Sequence, residues 1–112
     1  MREEGLPEFI RELPEGDIEI DGLKSYIFQG KDKQFIFMEF EEDIEIKEHF
    51  HSAQWGVVID GEMELTVGGE KILLKKGDTY FIPENRVHSV KIKKGYKDLT
   101  LFNQPDRYSI KK

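Results

Sequence analysis

Three histidines, His49, His51 and His88, are the residues of this chain best suited to chemistry, and two of them stand one residue apart in KEHFHSAQWGVVIDGEMEL, Lys47 to Leu65. Imidazole is the commonest metal ligand, because its neutral nitrogen suits Zn, Ni, Cu and Fe. Residues two apart on a strand project to the same side, so His49 and His51 share a face. Ser52 and Ala53 leave room for a tight connection, and the next strand opens QWGVVI, with Gln54 on the face of Gly56 and Val58. The stretch reads as a β-hairpin in which His49, His51 and Gln54 converge at one end, with Gly56 leaving open space beside them. In VHSVKIKK the alternation sets His88, Val90 and Ile92 against a face that carries Lys91 and Lys93. Lysines belong outside, so His88 turns inward. Three imidazoles suffice for an open metal site. The chain has no cysteine, so any metal is held by nitrogen and oxygen.

The elements that must position these groups are short strands. Only Leu6, Phe9, Ile10 and Leu13 have helical spacing, a turn or two between Pro7 and Pro14. From Ile18 onward, segments of period two are divided by Asp21-Gly22, Gly30, Asp60-Gly61, Gly68-Gly69, Gly77-Asp78 and Gly95, the pattern of an all-β sandwich or barrel. EMELTV places Met63, Leu65 and Val67 on one face and Glu62, Glu64 and Thr66 on the other. Gly68-Gly69 accepts the positive φ of a two-residue hairpin turn. Glu41, Glu42, Asp43 and Glu45 read as an exposed strand edge, and SIKK as a solvated end. Across 112 residues this is one domain, residues 1–112, with a barrel core over about 18–104.

A net charge of -6, with the basic residues scattered, argues against nucleic acid as a direct partner, since that affinity needs a concentrated basic patch. The N-terminus has no apolar signal region and no run approaches a membrane span. A cytoplasmic protein with no membrane partner is expected.

The spacing of these residues resembles two motifs of the cupin family. The first reads G, five residues, H-x-H, three or four residues, E, six residues, G; the second reads G, five residues, P-x-G, two residues, H, three residues, N. His49, His51 and Gly61 fit the first, with Asp43 for its leading glycine and Gln54 for its glutamate. Gly77, Pro83 and His88 fit the second, with Asn85 for the motif glycine and Ile92 for its asparagine. The resemblance covers about Ile18 to Phe102. It implies a small double-stranded β-helix, or jelly-roll, barrel preceded by a short helical turn. One divalent transition metal, Zn, Ni, Mn, Fe or Co, would be held by His49, His51, Gln54 and His88.

The missing glutamate is informative. A glutamine oxygen coordinates without adding charge, so the ion keeps its dipositive charge. It binds less tightly, attracts anionic ligands more, and favours Lewis-acid chemistry over dioxygen activation. Small uronate-linearising cupins of pectin and alginate breakdown resemble this chain in size and ligand set. They also use an Asp, a Phe and an Arg near the last strand, where TLFNQPDRY offers Phe102 and Arg107, with Thr100 in place of the Asp. Tyr80 or Phe81 lines the cavity according to strand parity, and Arg86, in the loop before His88, either is a solvated loop residue, the favoured reading, or holds a carboxylate at the barrel mouth as a substrate-binding residue. Trp55 points away from the lumen as an interface anchor or a packing residue, and small cupins commonly form homodimers. The expected function is a metal-dependent isomerase, lyase or tautomerase step on a small oxygenated acid or sugar derivative, with an anionic small molecule as the ligand the neutral site favours. A non-catalytic sensor and the uronate reaction are the alternatives.

Overall fold

The structure, a computed structural model, describes residues 5–111. One short helix, α1 (Glu8–Arg11), precedes nine strands: β1 (Leu23–Gln29), β2 (Gln34–Phe40), β3 (Ile44–His49), β4 (Gln54–Asp60), β5 (Glu62–Val67), β6 (Glu70–Lys75), β7 (Thr79–Ile82), β8 (His88–Ile92) and β9 (Lys97–Phe102). They form two antiparallel sheets, of strand order β1-β2-β9-β4-β7 and β3-β8-β5-β6. This is the all-β jelly-roll barrel expected, with its short helical turn. No helix among the described residues is long and apolar enough to cross a membrane.

Period-two alternation builds the core. Ile27, Ile36, Val58, Leu65 and Ile82 point between the sheets and are almost wholly buried, each contributing roughly 1.5–3 kcal/mol of hydrophobic stabilisation. Met63 and Leu65 are buried as EMELTV implies. Gly68 and Gly69, at φ 56° and 84°, turn β5 into β6. Of the expected helical stripe, Leu6, two residues before α1, is buried and Phe9 within it faces solvent, because one turn is too short to cover a stripe. The acidic run lies in the β2–β3 turn and along β3, an edge strand, and Asp43 Oδ1 accepts the Lys94 N–H at 2.8 Å. Of the SIKK end, whose last residue lies outside the described residues, Ile110 bridges Gly16 and Lys111 N–H donates to the Glu15 carbonyl at 2.8 Å.

One expectation is overturned: β3 and β4 are not a hairpin. β3 pairs with β8 and β4 pairs with β7 and β9, so residues 50–53 carry the chain from one sheet to the other. His51 therefore lies in this crossing link instead of on a strand beside His49. The link is held by the turn before β8, where Asn85 N–H donates to the His51 carbonyl at 2.9 Å. Asn85, standing where the motif has glycine, has φ 60°, and it alone among the described non-glycine residues has a positive φ. Asparagine tolerates that region better than other side chains.

Asn85→Ala should therefore cost about 1 kcal/mol, while Asn85→Gly should be neutral or slightly stabilising. Urea midpoints of the three proteins check this; equal midpoints for the Ala and Gly variants would contradict it.

Candidate metal centre

β3 ends on His49 and β8 begins on His88, and the two are register partners across the sheet. The crossing link swings His51 in from the other side. The ligand nitrogens of the three rings lie within 4.8 Å of one another, with ring centroids 4.2 to 5.2 Å apart. Each ring uses Nδ1 in the same way: His49 meets the Lys47 carbonyl at 2.9 Å, His51 the Ser52 carbonyl at 2.7 Å, and His88 the Arg86 carbonyl at 2.9 Å. A carbonyl only accepts, so each Nδ1 carries the proton and each Nε2 keeps its lone pair. Burial lowers the pKa of His51 to about 4 and also lowers that of His88, the neighbouring Arg107 adding to both. Three clustered imidazoles, each with a free ring lone pair, are a donor set a divalent transition metal takes, and their outer hydrogen bonds fix ring orientation.

Gln54, the first residue of β4, lines the same narrow cavity, of about 60 Å³, with Tyr80, Asp98, Thr100 and Phe102. Asp98 is only 3% exposed. Tyr80 Oη donates to its Oδ2 at 3.0 Å, Tyr96 Oη to Oδ2 at 2.8 Å and Thr100 Oγ1 to Oδ1 at 3.2 Å. Burial raises its pKa to about 6 against these three donors, so at neutral pH it is mostly a carboxylate and only accepts. Tyr80 has spent its one proton on Asp98, so its oxygen accepts from Gln54 Nε2, 3.3 Å away. The carboxylate thus sets the amide's orientation through the tyrosine, and Gln54 Oε1, the atom able to coordinate, is left for the cavity.

Tyr80 and Ile82 face the lumen and Phe81 faces out, which resolves the parity of that strand. The space expected beside Gly56 is filled: a Cβ there would overlap the Tyr80 ring. Phe102 is buried with its ring edge-on to His51 at 5.3 Å. The Arg107 guanidinium lies 5.7 Å from the Phe102 ring and 4.4 Å from the Tyr108 ring. Its Nε is buried without a partner among the described residues. The Arg86 side chain is exposed and lines a separate groove with Val67 and Phe81, so only its backbone carbonyl meets the histidines. A larger hollow of about 550 Å³ on the outer face of the four-stranded sheet holds none of the histidines. Sequence reasoning missed Asp98, Tyr96 and Tyr108. The alternation of KDLTLF, which puts Asp98, Thr100 and Phe102 on one face, was a usable signal.

The cupin domain profile matches residues 36–102, and the chain belongs to that family. The fold is similar to KdgF from Halomonas sp., at 26% identity and TM-score 0.73 over 87% of this chain and 90% of that one. It is also similar to an RmlC-like cupin from Shewanella frigidimarina, at 24% identity and TM-score 0.75 over 96% and 94%. A single-residue variant of the oxalate decarboxylase of B. subtilis shares the fold at 17% identity and TM-score 0.69 over 87% of this chain and 29% of that one. No curated protein matches by sequence.

The Asp98 pKa, raised from 3.8 to about 6, ties stability to pH. Between about pH 4 and pH 6 the native state holds a proton that the unfolded chain has released. This contribution, roughly 3 kcal/mol, is present in full below pH 4 and lost as pH rises through 6. Relative to Asp98→Asn, the wild type should become steadily less stable from pH 4 to pH 7 in denaturant titrations. A pH-independent difference would contradict the raised value.

Proposed function

We propose that the protein is a homodimeric, metal-dependent enzyme carrying out an isomerase, lyase or tautomerase step on a small oxygenated acid or sugar derivative. One divalent transition metal, among Zn, Ni, Mn, Fe and Co, would be held by Nε2 of His49, His51 and His88 and by Gln54 Oε1. The observation that carries the reading is that three Nδ1–H groups are tied to backbone carbonyls in a cluster whose ligand atoms lie within 4.8 Å of one another, in a cavity that a buried carboxyl group also lines. When bound, the metal would supply a Lewis acid that polarises a carbonyl or enol oxygen.

The chain's own residues would do the rest. Asp98, with a pKa near neutrality, is the cavity group suited to hold or release a proton, and the Tyr80 and Thr100 hydroxyls stand beside it. Arg107 would orient an anionic group at the mouth and Phe102 would exclude water. A cavity of about 60 Å³ admits the reacting end of a ligand and not a whole sugar, so selection should fall on the carboxylate and the oxygen next to it. Opening of unsaturated uronates is a second reading. It is favoured by Phe102 and Arg107 both lying beside the histidines, with Asp98 on the face of Thr100 supplying the missing acid.

Gln54→Glu tests the ligand set. The added carboxylate should tighten metal binding and weaken small carboxylic and sugar acids by about 1 kcal/mol. Metal titrations of both proteins, followed by acid titrations of the loaded forms, measure both effects. Unchanged metal affinity would remove Gln54 from the site.

A further inference from the structure

On one side of the barrel β6, the last strand of the four-stranded sheet, and β7, the last of the five-stranded one, each have an outer edge with no strand partner among the described residues. A slot of about 350 Å³ opens there. Its floor is the inner face of the β5–β6 hairpin, where register sets Leu65 beside Ile72, Met63 beside Leu74 and Val67 beside Glu70. Ile72 is 39% exposed although it shares this inward face with buried Leu65 and Leu74, so the slot leaves part of the core uncovered. Both ends of the described chain lie on the far side of the five-stranded sheet. Gly5 sits beside Glu39 of β2, and Lys111 is bonded to Glu15, which bridges Tyr26 of β1. Tyr80 is the one residue that lines both the slot and the histidine cavity, which makes the slot a separate site.

The slot is charged at one end and apolar along the rest. Arg86 and Glu70 both line it. A Cβ at Gly68 would stand 3.8 Å from the Arg86 Nη1, which places the guanidinium at the tip of the hairpin, and Glu70 is the first residue after that tip. Both side chains are exposed, and neither has an ion-pair partner among the described residues. A guanidinium fork matches a carboxylate, and a carboxylate accepts from an ammonium group. A lone carboxylate would be repelled by Glu70 and a lone amine by Arg86, so charge complementarity selects a ligand with both signs on neighbouring atoms. At roughly 30 Å³ for each atom-sized unit the slot holds about a dozen non-hydrogen atoms. We propose that it is a binding site for a free apolar α-amino acid, with the carboxylate on Arg86, the ammonium on Glu70 and the side chain against Leu65, Ile72 and Leu74. The tail supplies affinity and the two charged groups fix orientation, the division found in small-molecule sites generally. The same residue inside a peptide has neither charge, so the free amino acid is the form selected.

Calorimetric titration with L-phenylalanine tests the proposal, and it is run on metal-free protein in chelator because an amino acid would also coordinate a metal ion. Saturable binding of one equivalent is expected. 3-Phenylpropionate, which lacks the ammonium group, phenethylamine, which lacks the carboxylate, and glycine, which lacks the tail, should each bind at least about ten-fold more weakly. Arg86→Gln and Glu70→Gln, both at exposed positions, should each lower phenylalanine affinity by about ten-fold. Ile72→Trp, which fills the slot, should abolish binding. No binding at millimolar phenylalanine, an analogue that binds as tightly as phenylalanine, or an unchanged affinity in any of the three variants would each overturn the proposal. The analogue series needs only the wild type, so it decides the matter even if a variant fails to fold.

Discussion

Three backbone carbonyls, those of Lys47, Ser52 and Arg86, make a site out of three polar rings by accepting the Nδ1 protons. Without them each imidazole would be free to present either nitrogen and to rotate. Each carbonyl belongs to a different part of the architecture: the end of β3, the link that crosses between sheets, and the turn that leads into β8. The positive φ of Asn85 and its bond to the His51 carbonyl join the last two. The barrel's contribution to the site is largely to set the relative position of these three stretches of backbone.

Asp98 has the opposite energetics. Its burial disfavours the charged form, and three hydroxyl donors compensate in part. A buried carboxylate whose pKa is pushed toward neutrality costs stability at the pH where most proteins work, and such groups cluster at functional sites. What it provides here is direction. The hydroxyl protons all point at the carboxylate, so Tyr80 faces Gln54 as an acceptor and engages the amide through its nitrogen, leaving the amide oxygen out of that contact. Gly56 is part of the same arrangement, because any side chain there would displace the tyrosine.

Much of this was legible in the sequence. Alternation in EMELTV and VHSVKIKK pointed to the buried faces, and the two histidine motifs brought three histidines from distant parts of the chain together. Nothing local distinguishes a hairpin from a crossing between sheets: Phe50 to Ala53 is short enough for either, and only the pairing of β3 with β8 and β4 with β9 decides. The space beside Gly56 was misread because its occupant, Tyr80, comes from β7, far along the chain. Asp98 was passed over because the resemblance directed attention to Thr100. Of the two readings open for Arg86, the solvated loop residue is the one the structure bears out, because a side chain two positions from His88 across a turn need not share its direction.

The central claim is that three neutral imidazoles present Nε2 to one metal ion. Imidazole ¹⁵N NMR of the metal-free protein at neutral pH, followed by titration with zinc, tests it most directly. The account predicts that His49, His51 and His88 are all Nδ1–H tautomers and that one equivalent of zinc shifts all three Nε2 resonances together. An Nε2–H tautomer at any of the three, or an Nε2 unmoved at saturating zinc, would contradict it.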